Sequence, residues 1–439
     1  MRFEASRALR ERAHAMIPGG AHTYAKGDDQ YPEDAPGFIA RGAGCHVWDV
    51  DGNEFIEYGM GLRAVTLGHG YAPVVAAAAA ALPHGSNFTR PAAIEVEAAS
   101  QLLAMVGRHD GAMVKFAKHG SDATTAAVKL ARAHTGRDLV AICTDHPFFS
   151  TDDWFIGATG MPGGVPSAVR ALTVGFRYND ASSLAAAFEA HPGEIACVMM
   201  EAETTTAPAP GFLAEVRRLC DAHGALLVID ETLTGFRWHN RGAQDVHDVT
   251  GDLAVYGKAM GNGFAISALV GRPDVMELGG LRHDRERVFL LSTTHGAETH
   301  ALAAALAVMT AYQHEPVIET LYRQGARLAA GVTSAAQRHG VSDHFGVLGR
   351  DCNLIYVTKD PSGERSQPYR TLFLQELIAG GIIAPSFSIS YSHTDADVDR
   401  TIEAVDAALA VYAKALDAGS VDGLLRGRPV APVFRRFNR

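Results

Sequence analysis

Five short apolar runs in the middle of the chain each stop at a polar or small residue. Residues 139–143 precede Thr144-Asp145-His146, 195–200 precede Glu201, 225–229 precede Asp230, 253–256 precede Gly257-Lys258, and 288–291 precede Ser292. Runs that are continuously apolar, rather than alternating, predict strands covered on both faces, as in a parallel sheet between helical layers. The intervening segments have helical spacing: Phe212, Leu213, Val216, Leu219 and Cys220 recur at i, i+3 and i+4, and Gly224 supplies the stop. The expected architecture is α/β, a mostly parallel sheet sandwiched by helices.

After about residue 311 the pattern changes. Segments 316–335 and 395–415 read as long amphipathic helices around strand-like runs at 352–357 and 382–384, which predicts a smaller α+β domain. With 439 residues there is room for more than one domain. We expect an N-terminal segment (1–70, with small-domain and dimer contacts), a large domain (71–310), a small domain (311–418) and a basic tail (419–439) containing Arg426, Arg428, Arg435, Arg436 and Arg439. The polyalanine stretch 76–81 reads as helix.

The charge balance, 39 basic against 49 acidic residues for a net −10, argues against nucleic acid as partner. The tail therefore reads as solvated or subunit-clasping. Five cysteines (Cys45, Cys143, Cys197, Cys220, Cys352) form no C-x-x-C pair and no close Cys/His cluster, so they are expected to be reduced core residues, with no metal site. The first fifteen residues contain Arg2, Glu4, Arg7, Arg10, Glu11 and Arg12 and leave no apolar signal core, and no run approaches a membrane span. The expected location is cytoplasmic.

In open α/β sheets, ligands bind beyond the carboxyl ends of the strands. That rule singles out Glu201, Asp230, Lys258, Ser292-Thr293 and the loop 146–150. An acid and a lysine at strand ends can be a plain salt bridge. Lys258, however, lies between Gly257 and Ala259-Met260-Gly261-Asn262-Gly263, small residues that clear space around one amine, and a lysine in a partly dry pocket can trap an aldehyde as a Schiff base. Gly120-Ser121-Asp122 opens a helix whose N-terminus suits a phosphate, although Gly-Ser-Asp is also an ordinary cap. Aldehyde trap, phosphate cradle and a carboxylate for a protonated ring nitrogen together match pyridoxal 5'-phosphate.

At these residues the sequence also resembles a known family. Asp230-Glu231-Thr232-Leu233-Thr234-Gly235-Phe236-Arg237, then Gly257-Lys258 and Gly261-Asn262-Gly263, is similar to the signature of class III pyridoxal-phosphate aminotransferases, in the glutamate-1-semialdehyde 2,1-aminomutase-like branch. Ile17-Pro18-Gly19-Gly20, Trp48-Asp49-Val50-Asp51-Gly52-Asn53-Glu54, Leu67-Gly68-His69, Gly120 to Thr124, Gly242-Ala243-Gln244 and His393-Thr394-Asp395 extend the likeness over about residues 10–415. The resemblance implies fold type I and a homodimer with shared active sites. It makes Lys258 the Schiff-base lysine and proton shuttle and Asp230 the partner of the ring nitrogen. Gly120 and Ser121 would hold the phosphate, with Thr293 reaching it from the other subunit. Phe148 would stack on the ring and Thr232 touch its opposite face. Glu201 would lie beside the cofactor, or serve as a structural acid.

Several positions depart from the aminomutase pattern. Lys26 stands where that branch has an arginine in a loop that holds the substrate carboxylate, and a lysine cannot make the bidentate fork. Phe148-Phe149-Ser150 replaces Tyr-His-Gly, Ala297-Glu298 replaces Asn-Pro, and the late loop 384–393 is shorter and lacks its glutamate. Arg63 is the candidate for the donor carboxylate, or else an ordinary ion pair; His22, Tyr24 and His295 are candidate substrate contacts. The expected reaction is transamination from an amino-acid donor to a carbonyl acceptor, a polar and sugar-derived aldehyde or ketone among them. The alternatives are a glutamate-1-semialdehyde aminomutase and a non-catalytic cofactor-binding module. A nucleotide enzyme is disfavoured, because no G-x-G-x-x-G follows a strand and no P-loop is present.

Overall fold

Burial on both faces is what the apolar runs achieve. In the structure, a computed structural model describing residues 1–145 and 148–437, seven strands form one sheet: β1 (Met113–Ala117), β2 (Leu139–Cys143), β3 (Thr173–Phe176), β4 (Ile195–Met200), β5 (Leu226–Asp230), β6 (Leu253–Tyr256) and β7 (Ser267–Gly271). Their spatial order is β1-β7-β6-β5-β4-β2-β3. Every residue of β2, β4, β5 and β6 is buried. Those four strands and β3 are mutually parallel, while β7 runs antiparallel to both β1 and β6. This sheet lies in a unit made of Ala72–Ile318 with the tail from Phe434 onward; a second unit comprises Met1–Tyr71 and Glu319–Val433.

Helix α1 (Gly120–Thr135) buries Ala123, Ala126, Ala127, Leu130 and Ala131 in the main core. Small side chains on that face let the helix lie close to the strands. It ends at Gly136, whose φ of +69° suits a residue without Cβ. Helix α2 (Phe212–His223) buries the five apolar residues its spacing singled out. Residues 72–81 are helical and pack on α3 (Thr299–His314).

One expected strand does not form. Residues 288–291 are irregular: Phe289 is 70% exposed, Leu290 is buried against Gly279, and Leu291 turns at φ +49°. The strand position next to β6 is taken by β7, whose run directly follows the glycine-rich turn after Lys258. Ser292-Thr293 consequently lies in an exposed loop rather than at a strand end.

The other unit joins an early segment of the chain to a late one. Strands Ile39–Ala43, His46–Asp49 and Glu54–Glu57 pair antiparallel, and Ile382–Ile383 adds parallel to the third. A second sheet contains Phe345–Arg350, Asn353–Thr358 and Phe387–Ser388, accompanied by helices Gln367–Ala379 and Asp395–Ala418 and by most of Val317–Arg338. Asp397 accepts from the Thr394 backbone N–H (2.9 Å) and so caps the Asp395–Ala418 helix. Its carboxylate also meets His46 Nε2 (2.9 Å) and Cys45 Sγ (3.4 Å). The fold thus brings Asp397 to the sequence neighbours Cys45 and His46, a Cys/His/Asp cluster contrary to expectation, held by hydrogen bonds that include Glu54 on His46 Nδ1. In the tail, Arg426 pairs with Asp34 and Arg428 with Asp28, both acids of this same unit. Arg439 lies outside the described residues.

All five cysteines are buried and free of disulfides, and burial pushes the Cys143 and Cys197 thiols up to about 12. Among the described residues, no helix is long and apolar enough to cross a membrane.

Candidate active site

The carboxyl ends of β4, β5 and β6 bring the acids and the lysine together. The register pairs Met200 with Ile229, so one step further sets Glu201 beside Asp230; Asp230 itself pairs with Val255, three residues before Lys258. Asp230 is 3% exposed and Glu201 5%. Burial pushes the Asp230 carboxyl above the ordinary carboxylate range, while the Thr232 donor and the Lys258 charge pull it back down. Its Oδ1 accepts from the Thr232 N–H at 2.8 Å.

Lys258 has φ +42° and Asn262 φ +44°, unusual for residues with a Cβ. Such strain persists where the surroundings over-determine the conformation, and it clusters at functional sites. The turn is also closely packed, since a Cβ on Gly261 would stand 2.9 Å from Ile266 Cγ2.

The turn that opens α1 and the turn before Lys258 both pack a glycine against Thr232. A Cβ on Gly120 would stand 3.0 Å from Thr232 Cγ2 and Oγ1, and one on Gly257 3.2 Å from Thr232 Cγ2. Thr232 Oγ1 is buried and makes no hydrogen bond among the described residues. As first-turn residues of α1, Gly120 and Ser121 have N–H groups without intrahelical acceptors. Asp122 reaches back to the His119 N–H (3.0 Å) and the Lys118 N–H (3.2 Å), fixing the turn. Ser121 Oγ accepts from the Thr151 N–H at 3.1 Å, which leaves its own hydrogen to donate.

Thr151 belongs to the segment that follows β2. Its anchors are Thr124 Oγ1 on the Phe149 carbonyl (2.9 Å) and Thr125 Oγ1 against Ser150 Oγ (3.1 Å). Phe149 is buried in the core, so of the two phenylalanines only Phe148, 43% exposed, is free to face a ligand. Phe148 stacks on Phe434 of the tail, with ring centroids 6.3 Å apart at 29°. His146 of this loop lies outside the described residues.

A buried acid that sequence reasoning left unassigned organises the signature. Glu231 accepts from the Ala243 and Gln244 N–H groups, each at 2.8 Å, and from Thr234 Oγ1. Gly242 explains its part of the motif, since a Cβ there would lie 2.2 Å from Glu231 Oε2, and its φ is +95°. We expect Gly242→Ala to cost about 1–3 kcal/mol from backbone strain alone, read as a lower midpoint in chemical denaturation. A midpoint equal to that of the unsubstituted protein would contradict this account.

These groups suit a flat, phosphorylated, cationic heterocycle. The α1 N-terminus and Ser121 can take a phosphate, and Asp230, buried with a raised pKa, gains a charge partner when it meets a protonated ring nitrogen. Residues 29–356 match the family Aminotransferase class-III. The chain belongs to the class III aminotransferases. It is 34% identical over 436 residues to the glutamate-1-semialdehyde 2,1-aminomutase of Roseiflexus castenholzii (strain DSM 13941 / HLO8), covering 93% of this chain and 98% of that protein. The PLP internal aldimine form of the Sphingopyxis sp. MTA144 FumI protein superimposes with TM-score 0.86 at 30% identity, covering 96% and 99% of the two chains. An omega-transaminase from Sphaerobacter thermophilus gives 0.83 at 26% identity, covering 92% and 97%. This class III aminotransferase is accordingly a fold type I enzyme dependent on pyridoxal phosphate.

The remaining candidates are distributed as follows. Thr293 is in the exposed loop before α3, and His295 in the same loop pairs with Glu298 at 3.3 Å. In the other unit, His22 and Lys26 line a pocket of about 490 Å³, whereas Tyr24, 64% exposed, does not. Arg63 is partly buried there and spends its guanidinium on Asn353 Oδ1 and Ser386 Oγ, both at 3.0 Å.

Proposed function

We propose that the enzyme is an aminotransferase that takes an amino group from an amino-acid donor and delivers it to a polar aldehyde or ketone, a sugar-derived acceptor included. The observation that carries the amine chemistry is Lys258, held in a left-handed conformation within electrostatic reach of the buried Asp230. Bound pyridoxal phosphate supplies an electron sink for the pair released when a proton leaves the donor's α-carbon. In this reading the Lys258 amine would hold the cofactor, and once free it would take the donor's α-proton and deliver it to the cofactor carbon on the far side of the amino nitrogen. Asp230 keeps the ring nitrogen protonated. Gly120 and Ser121 hold the phosphate end together with the partner subunit's Thr293, Phe148 covers one ring face and Thr232 the opposite one, and Glu201 closes the polar edge.

Transamination is preferred over intramolecular amine transfer because Lys26, a point charge, replaces the arginine fork for a substrate carboxylate, and because the late loop 384–393 lacks the aminomutase glutamate. His22, Lys26, Tyr24 and His295 are assigned to substrate recognition. A second reading, an aminomutase, is favoured by the name of the 34% identical relative. The two separate in one experiment. Amino donors should bleach the visible absorbance of the holoenzyme, and the aminated enzyme should then convert an added aldehyde to an amine identified by mass. Conversion of glutamate-1-semialdehyde to 5-aminolevulinate without any external donor would sink the transaminase reading.

The functional form we assign is a homodimer in the cytoplasm. Val75, Leu82, Phe88 and Val96 are exposed apolar side chains along residues 72–106, and Thr293 sits in an exposed loop, open to a partner subunit in this reading. Five reduced cysteines suit a reducing compartment. Sedimentation of the holoenzyme should give twice the chain mass; a monomer with full activity would rule out shared sites.

A further inference from the structure

Three segments of the cofactor-binding unit meet at one ammonium group. Lys118 precedes His119, the N-cap of α1, and therefore belongs to the turn that presents Gly120 and Ser121. Its Nζ bonds the carboxylate of Glu298, the N-cap of α3, and approaches the Ala265 carbonyl at 3.4 Å. Ala265 lies in the turn that follows Lys258, and Glu298 ends the loop that carries Thr293. The same turn is tied again by Ser267 Oγ, which donates to the His119 carbonyl at 2.7 Å.

The Thr293 loop is tightly folded at this junction. A Cβ on Gly296 would meet Thr293 Oγ1 at 3.1 Å and the Phe116 carbonyl of β1 at 4.0 Å, and His295 Nδ1 stands 3.3 Å from Glu298 Oε1. The Lys118 and Glu298 side chains are only 18% and 20% exposed, so the pair is shielded more than an ordinary surface ion pair. Glu298 also places its negative charge at the positive end of α3, while Lys118 alone would set a cation beside the N-terminus of α1. Each partner thus makes the other's position tolerable, and the Lys118 hydrogen bond holds the Glu298 carboxyl below the usual carboxylate range.

We propose that Lys118 and Glu298 form an ion-pair latch that positions the phosphate-binding groups: it fixes the Thr293 loop to the turn bearing Gly120 and Ser121, and cofactor retention depends on it. Both are positioning residues, acting through the groups that touch the phosphate. The proposal rests on the assignment of that turn to the phosphate.

The test is the pyridoxal phosphate affinity of the full-length protein, read from visible absorbance on titrating the apoenzyme at low salt, beside the thermal midpoint of the apoenzyme. Lys118→Met and Glu298→Gln should each weaken affinity by about tenfold or more. The double variant should lose little beyond either single change, as coupled partners do. The exchange Lys118→Glu with Glu298→Lys should recover part of the loss. Four outcomes overturn the latch: affinities within twofold of the unsubstituted protein, a lowered apo midpoint with unchanged affinity, a loss confined to Lys118→Met, or tighter binding in Glu298→Gln. Equal affinities of the unsubstituted protein for pyridoxal and for pyridoxal phosphate would instead strike at the phosphate assignment.

Discussion

Lys258→Ala should abolish covalent attachment of the cofactor and, by removing the group that moves the α-proton, slow turnover by about 10²–10⁴-fold from the proton transfer alone. Borohydride reduction of the holoenzyme followed by peptide mass analysis should find the cofactor on residue 258, and on no residue in the variant. The expectation follows from a lysine at φ +42° that follows Gly257 and whose charge reaches the buried Asp230. A label on another lysine, Lys118 included, would show that the strand-end amine has been misassigned. External amines of small size should restore part of the rate in the variant, because the cavity left by the side chain lies at the reacting carbon.

Asp230→Asn is expected to act in opposite directions on the apoenzyme and on catalysis. A hydrogen bond to a charged group contributes about 1.5–3 kcal/mol, so loss of the charge opposite the ring nitrogen should slow the reaction by about ten- to a hundredfold. In the apoenzyme the carboxyl is pushed above the ordinary carboxylate range by burial. The folded apo form then holds a proton that the unfolded chain has released. Stability from this group is fully present below the unfolded carboxylate pKa and is lost as pH rises through the higher folded value. Chemical denaturation of the apoenzyme across that window should show stability falling with pH, and Asp230→Asn should remove this group's contribution and be the more stable apo form at neutral pH. An Asn variant that is less stable than the parent at every pH would refute the desolvation argument.

The same two residues show why parts of this molecule were readable in advance. Asp230 and Lys258 stand at the ends of apolar runs, and a run that must be covered on both faces leaves few places for a polar group except its carboxyl end. The helix that buries Phe212 to Cys220 and the glycine stops were legible for a related reason, since spacing and φ are local. Residues 288–291 misled because an apolar run records only that side chains seek burial. In the fold, Leu290 finds it beside Gly279 and Phe289 does not, with no ladder formed. Glu231 and Glu298 were invisible as organisers, because an acid that binds backbone N–H groups 12 and 13 residues later, or an ammonium 180 residues earlier, leaves no periodic trace.

Local chemistry written into the order of residues was therefore enough for the class of fold, the cofactor and the strand-end positions of Asp230 and Lys258: strand burial, helix spacing and the signature around those two residues all act within short stretches of chain. Long-range packing had to supply the rest. It alone chose β7 as the antiparallel neighbour of β6, buried Phe149 while leaving Phe148 exposed, turned the Arg63 guanidinium onto Asn353 and Ser386, and brought Lys118 to Glu298. Each of these outcomes depends on which distant surface wins a competition for the same side chain, and such competitions are settled by shape and desolvation across the whole core.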